Sequence, residues 1–374
     1  DAAVERAFSA FLPVLSTQAS GTQHAIAERP PSNSGTALIT VTQPLINASA
    51  FPLYAQARRL ADGQRAQNVD DKRLLGFSAA AAFFAVLNAE DVVSAARRQL
   101  DNAKANLDST QARAQAQLSS ANDVTKAQVD LAAAQREVVT DQGFVDNALV
   151  QLAFTVNAPV PAGIAEPAAT LDAAERPTGP AEALLRFAVD HRPDVLAARY
   201  QAAAAHDFAA EPMLRYVPSL NVQGQAAATT ASSPVTNRHD DETITATLTW
   251  TLYDAGLRYA DKHARDAQAE IADLDVQLLL RTVDAQVKSA AALLAAAQAA
   301  FRAASDAAKY ARQNVEETSI LYRQGLATAL DLVTTNDSRF AAEVNYATAR
   351  YAMAQAYVGL RQALGLDVLG AELR

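Results

Sequence analysis

The chain has 374 residues, half of them apolar, 6% aromatic, with a net charge of −9 and no cysteine. The acidic balance excludes nucleic acid as a partner, since that binding needs a basic surface. The missing cysteines exclude disulfides and thiolate metal sites. Frequent alanine and few aromatics predict long, closely packed helices rather than a thick globular core.

In chain order, Asp1–Phe11 reads as the end of a helix, stopped at Leu12-Pro13. Residues 14–23 and Thr36–Gln43 read as strands of a hairpin, about 14–43, ended by Pro44. Asn47 can cap the next helix, about 51–116, which holds only two glycines, Gly63 and Gly76. A break at Gln117–Ala121 follows, with Asn122 as N-cap, and a helix over about 122–155. Its apolar positions Val124, Leu131, Val138, Val145 and Leu152 keep a seven-residue spacing, the mark of a left-handed coiled coil. Five prolines between 158 and 181 mark a linker. Residues 182–211 are helical, interrupted by Pro193. Strands follow over about 219–252, where Ile244, Ala246, Leu248, Trp250 and Leu252 alternate with threonines. Asp254 caps a helix of about 254–324, Gly325 ends it, and the last helix covers about 328–364.

The second half repeats the first. At an offset of 208, Leu118–Val124 lies over Leu326–Leu332 and Ala148–Leu152 over Ala356–Leu360. The expected organisation is therefore a first repeat at 1–157, a linker at 158–181 and a second repeat at 182–374. There is no run of 18 consecutive apolar residues, so no membrane-spanning helix is expected. A β-barrel strand needs only about ten alternating residues. Four strands cannot close a barrel, so several chains would have to contribute; three would give twelve.

Here the sequence resembles the TolC family of outer-membrane efflux proteins over nearly its whole length. The residues that carry the likeness are Leu12-Pro13, Val217-Pro218, Trp250-Thr251-Leu252-Tyr253-Asp254-Ala255-Gly256, Tyr322-Arg323-Gln324-Gly325 and Asp331-Leu332. The resemblance implies a mostly α fold with a β-barrel part: a trimeric α/β barrel, each chain giving four transmembrane strands and long coiled-coil helices in two structural repeats. It implies a passive exit duct in the outer membrane of a Gram-negative bacterium, with a long periplasmic extension and a gate at the helical tips. The implied partners are two further copies in a homotrimer, a periplasmic adaptor (membrane fusion) protein, an inner-membrane RND or ABC transporter, and outer-membrane lipid. Family chains usually carry a full helix before the first strand, matching Glu182–Glu211; only its end stands here, so a trimmed N-terminus is expected, and a lipidated cysteine would have gone with it. Ala327 and Thr334 stand where well-known tips have a basic residue and a second acid.

The gate candidates are Asp331, Tyr322 and Asp123. Both acids read equally as stabilisers of a helix N-terminal turn, and Tyr322 as packing between hairpins. Leu118, Ser119, Ser120, Gly325, Leu326, Ala327 and Thr328 form the tips an adaptor would meet, or simply permit tight turns. Trp250, Tyr253, Phe51 and Tyr54 read as a membrane-interface girdle or as core packing where strand meets helix. The histidines at 24, 191, 206, 239 and 263 lack ligand spacing. No nucleophile–His–acid set or phosphate loop stands out, so neither enzyme, metal site nor cofactor is expected. The alternative reading is a soluble or peripheral coiled-coil scaffold, which would have no use for apolar-faced strands.

Overall fold

The computed structural model of the chain describes residues 2–24, 32–230, 239–368 and 370. Residues fall into two units, Asp1–Asn68 with Pro193–Leu280, and Val69–Arg192 with Arg281–Arg374.

The first unit is built on a sheet. After a short helix α1 (Ala2–Phe8) and a 3-10 turn (Ser9–Phe11), proline at 13 forces the chain into β1 (Val14–His24). β2 (Ser32–Ile46), β3 (Ser219–Thr229) and β4 (Asp240–Thr249) follow, antiparallel in the order β1-β2-β3-β4. Pro44 does not end β2, as expected above, but lies inside it at a register shift between Pro44 and Ile46. A bulge is where a strand tolerates a residue without an N–H. β4 stops at Thr249, so Trp250 and Leu252 lie beyond the strand. The unit also holds α6 (Pro193–Leu214) and the first turns of α2 (Ala50–Gln115) and α7 (Leu257–Arg323). Proline at 193 opens α6, a place where its missing N–H costs nothing.

The register sorts the sheet's side chains. Leu15 lies opposite Val41, Val41 opposite Gly224, and Gly224 opposite Ile244. Thr17, Ile39, Ala226, Val222, Ala246 and Leu248 share that face by the same pairing. The other face carries Ser16, Gln18, Thr40, Thr42, Gln223, Gln225, Thr243 and Thr245. Leu15 is 71% exposed, Ile244 84% and Leu248 62%.

The second unit is helical: the rest of α2 and α7, with α3 (Ala121–Val156), α4 (Ala168–Ala174), α5 (Ala181–His191) and α8 (Ala329–Ala363). Of the expected heptad, Val145 and Leu152 are buried while Val124, Leu131 and Val138 are half-buried. The buried positions beside them are three residues on, at Ala127, Ala134 and Asp141. Residues 158–181 are more than a linker, because α4 packs on α8. Leu171 joins Phe77, Phe84, Leu87, Tyr351, Ala354 and Val358 in one buried cluster. Glu166 receives both terminal nitrogens of Arg350 at 2.8 Å and the Tyr351 hydroxyl at 3.0 Å. α2 does contain an 18-residue window of mean hydropathy 1.4 with at most two charges, despite the expectation that no segment would pass as a span. Phe77, Phe84 and Leu87 of α2 are spent on the buried cluster.

Candidate channel tip and sheet face

The two expected tips are turns of the same backbone design. α2 ends with Gln117 at φ +59°, where Gln117 N–H donates to Ala114 O (3.0 Å) and Leu118 N–H to Arg113 O (2.8 Å). α7 ends with Gly325 at φ +79°, where Gly325 N–H donates to Tyr322 O (3.1 Å) and Leu326 N–H to Leu321 O (2.8 Å). This left-handed stop satisfies carbonyls that a helix end leaves free.

Each following helix opens on a reciprocal cap. The Ser120 hydroxyl accepts from Asp123 N–H, and Asp123 Oδ2 accepts from Ser120 N–H (3.0 Å), Ser120 Oγ (2.8 Å) and Ser119 Oγ (3.1 Å). The Thr328 hydroxyl accepts from Asp331 N–H, and Asp331 Oδ2 accepts from Thr328 N–H (2.8 Å) and Thr328 Oγ1 (2.7 Å). The cap of α3 is Ser120, not Asn122, because Asn122 already lies inside the helix. Hydrogen bonds from Ser120 hold Asp123 below the ordinary carboxylate range, the backbone donor contributing most. The Thr328 hydroxyl, then its backbone N–H, does the same for Asp331.

Tyr322 is 7% exposed, and the Arg113 guanidinium stands 4.7 Å from its ring centroid. A hollow of about 360 Å³ brings together Leu118, Ser119, Asp123, Tyr322, Ala327 and Thr328 from both turns. Asp331 does not line it. Leu118 and Leu326 project outward, 71% and 72% exposed. Ser120 and Gly325 are spent on cap and turn.

The four aromatic candidates do not form one group. Phe51 packs tilted against Phe11 (5.0 Å), and Tyr54 tilted against Phe8 (5.9 Å) and edge-on to Phe11 (6.2 Å). The Trp250 indole donates to Tyr216 O at 3.0 Å. Tyr253 is 84% exposed. Asp254 accepts from Gly256 N–H and Arg258 N–H, so it does cap α7. The side chain of His24 lies outside the described residues.

Sequence reasoning missed a set of polar side chains above the tips. Gln99, Asn102, Asn106, Thr110 and Arg113 recur at helical spacing along an alanine-rich stretch of α2. That spacing was the available signal. A hollow of about 280 Å³ is lined by the first three with Asp130 of α3 and Asn336 and Asp337 of α8. Among the described residues no group of three or more His, Asp or Glu is placed to hold a metal.

A family model for outer membrane efflux proteins matches residues 1–158 and 184–366. The chain belongs to the outer membrane efflux protein family. The outer membrane protein TolC of Vibrio cholerae serotype O1 is 25% identical over 336 residues, 87% of this chain and 76% of that protein. CusC superposes with a TM-score of 0.84 at 16% identity, over 98% of this chain and 86% of its own. The open state of the MtrE outer membrane channel of Neisseria gonorrhoeae gives 0.81 at 18% identity, over 98% and 83%. The resemblance read from the sequence therefore holds, as does the fold: mostly helical with a small antiparallel sheet. The protein is an efflux-family protein of the outer membrane, and members of this family are channels rather than enzymes. The poreless scaffold loses its ground.

Proposed function

We propose that three copies of this chain close a twelve-stranded barrel in the outer membrane and form a passive exit duct. The observation that carries this is the sheet, with one largely apolar face, interrupted by Glu242, one largely polar face, interrupted by Leu38, and edges at β1 and β4 that are unpaired among the described residues. Lipid suits the first face, water in a lumen the second. Backbone groups at the edges need partners within a membrane, which neighbouring copies supply. The helical unit serves as the periplasmic part, with the two tips as gate and as the contact for an adaptor linked to an inner-membrane transporter. Asp331 supplies one carboxylate per chain to a ring at the constriction, which draws cations. The sequence repeats at 1–157 and 182–374 provide the paired hairpins of each chain.

The test is the mass and conductance of the particle extracted from membranes in mild detergent. Three 39.5 kDa chains give ~118 kDa of protein, and that particle should conduct in a planar bilayer, with cation preference reduced by Asp331→Ala. A monomer or dimer overturns the duct; unchanged selectivity in the variant removes Asp331 from the constriction.

A further inference from the structure

We infer that the two edges of the sheet meet in one defined register. β4 of each copy pairs antiparallel with β1 of the next, with Thr249 opposite Gln18, Leu248 opposite Ala19 and Thr247 opposite Ser20. The inference rests on the trimeric duct proposed above and adds to it which residues touch.

The sheet holds the same hairpin twice. β1 and β3 correspond at an offset of 205, as Leu12-Pro13 does to Val217-Pro218. β2 and β4 correspond at an offset of 207, as Thr40-Val41-Thr42 does to Thr247-Leu248-Thr249. The pairing obeys both offsets: Val14 lies opposite Thr42, and Ser219 opposite Thr249. A side-chain bond repeats as well. Gln43 Nε2 donates to Phe11 O at 2.9 Å, and at the equivalent place Trp250 Nε1 donates to Tyr216 O at 3.0 Å. Different donors reach equivalent carbonyls, so it is the backbone course that repeats.

One junction between hairpins lies within the chain. There β2 meets β3, with Thr42 opposite Gln223, Val41 opposite Gly224 and Thr40 opposite Gln225. The other junction has β4 on one side and β1 on the other, edges without a neighbouring strand among the described residues. Within a membrane their backbone groups need partners. Opposite edges of one chain make a head-to-tail contact, which closes into a ring. Closure fixes the total stagger of a barrel, and equal hairpins divide it equally. The β2–β3 register therefore carries over, by the two offsets, to β4 and the next copy's β1.

The faces agree with this register. Leu248 and Ala19 belong to the apolar face, and Thr249, Gln18, Thr247 and Ser20 to the polar one. A slip of one residue would mix them. The register also accounts for where β4 stops. β2 runs on to Ile46 because β3 pairs with it, Pro44 opposite Asn221 and Ile46 opposite Leu220. The equivalent residues Thr251 and Tyr253 lie outside β4. Their counterparts, Ser16 and Leu15, stand on the next copy. Tyr253 and Leu15, both largely exposed in the single chain, come together on assembly.

The test is disulfide trapping. The chain has no cysteine, so a bond reports only the pair introduced. Cβ atoms directly opposite are about 5 Å apart and diagonal ones about 7 Å, so only the direct pair approaches the roughly 4 Å that a disulfide requires. Thr249→Cys with Gln18→Cys, oxidised in the membrane, should give covalent dimers and trimers that reductant dissolves. Leu248→Cys with Ala19→Cys should do the same. Thr249→Cys with Ser16→Cys or with Ser20→Cys should stay monomeric on a denaturing gel. A ladder in a displaced pair overturns the register and leaves the duct standing. So does no ladder in both matched pairs while the particle still runs as a trimer in mild detergent. If the cysteine-free chain itself runs as a monomer, the duct reading fails and the register with it.

Discussion

At the first tip the left-handed position is Gln117; at the second, 208 residues later, it is Gly325. The same two backbone hydrogen bonds form at both, and Ser120 and Thr328 make the same reciprocal cap with Asp123 and Asp331. Inside the turns the sides differ: Ala114 stands in the first where buried Tyr322 stands in the second. Turn geometry is thus a property of the backbone and the cap, and it tolerates either a strained glutamine or a free glycine. At the tips the aromatic ring reaches from one hairpin to the other, because Arg113 of the first lies over it.

The strongest way to break this comparison is Tyr322→Ala. Loss of a buried ring costs about 3 kcal/mol, equivalent to roughly a hundredfold faster amide exchange. The increase should reach both turns; a change confined to 324–330 would mean that the hairpins are independent. Next comes the left-handed position. Gly325→Ala should lose about 1 kcal/mol, while Gln117→Gly should gain up to about 1 kcal/mol, read as opposite shifts of local exchange. Equal signs would show that the turns are not equivalent. The smallest pair is Ser120→Ala and Thr328→Ala, each costing about 1 kcal/mol at its own helix start. Acid sharpens that result. Asp123 and Asp331 titrate below their unfolded values, so their contribution is complete above about pH 4 and fades as pH falls through the folded values. Both caps should loosen together there in the natural chain, and each variant should respond less at its own cap, where the hydroxyl that helps hold the acid low is gone.

Much of this was legible beforehand because it is local. Alternation at Ile244, Ala246 and Leu248 is enough to place a two-faced strand, and glycine at 325 is enough to stop a helix. Pro44 was misread because a bulge forms only against a partner strand, here β3, which lies far off in sequence. Trp250 and Leu252 continue the alternating pattern past β4, since periodicity does not register where pairing ends. The caps at Ser120 and Thr328 were hidden behind Asn122 and the acids themselves, as a capping box is shared between two residues. The polar stripe on α2 gave a signal, but its meaning depends on Asp130 and Asp337 arriving from two other helices.

Glu343 on α8 is 7% exposed and is gripped by Arg98 from α2 (2.9 Å) and Arg312 from α7 (3.1 Å). A carboxylate removed from water and tied to two cations is costly to release, so α8 is pinned to α2 and α7 here, and any swing of its first turns would take this point as fulcrum. Asp331 lies twelve residues before it, about 18 Å along the helix. With the fulcrum intact, a swing of about ten degrees carries that end of α8 through roughly 3 Å. A small rotation at this rivet would be geared into a displacement about the width of a water molecule.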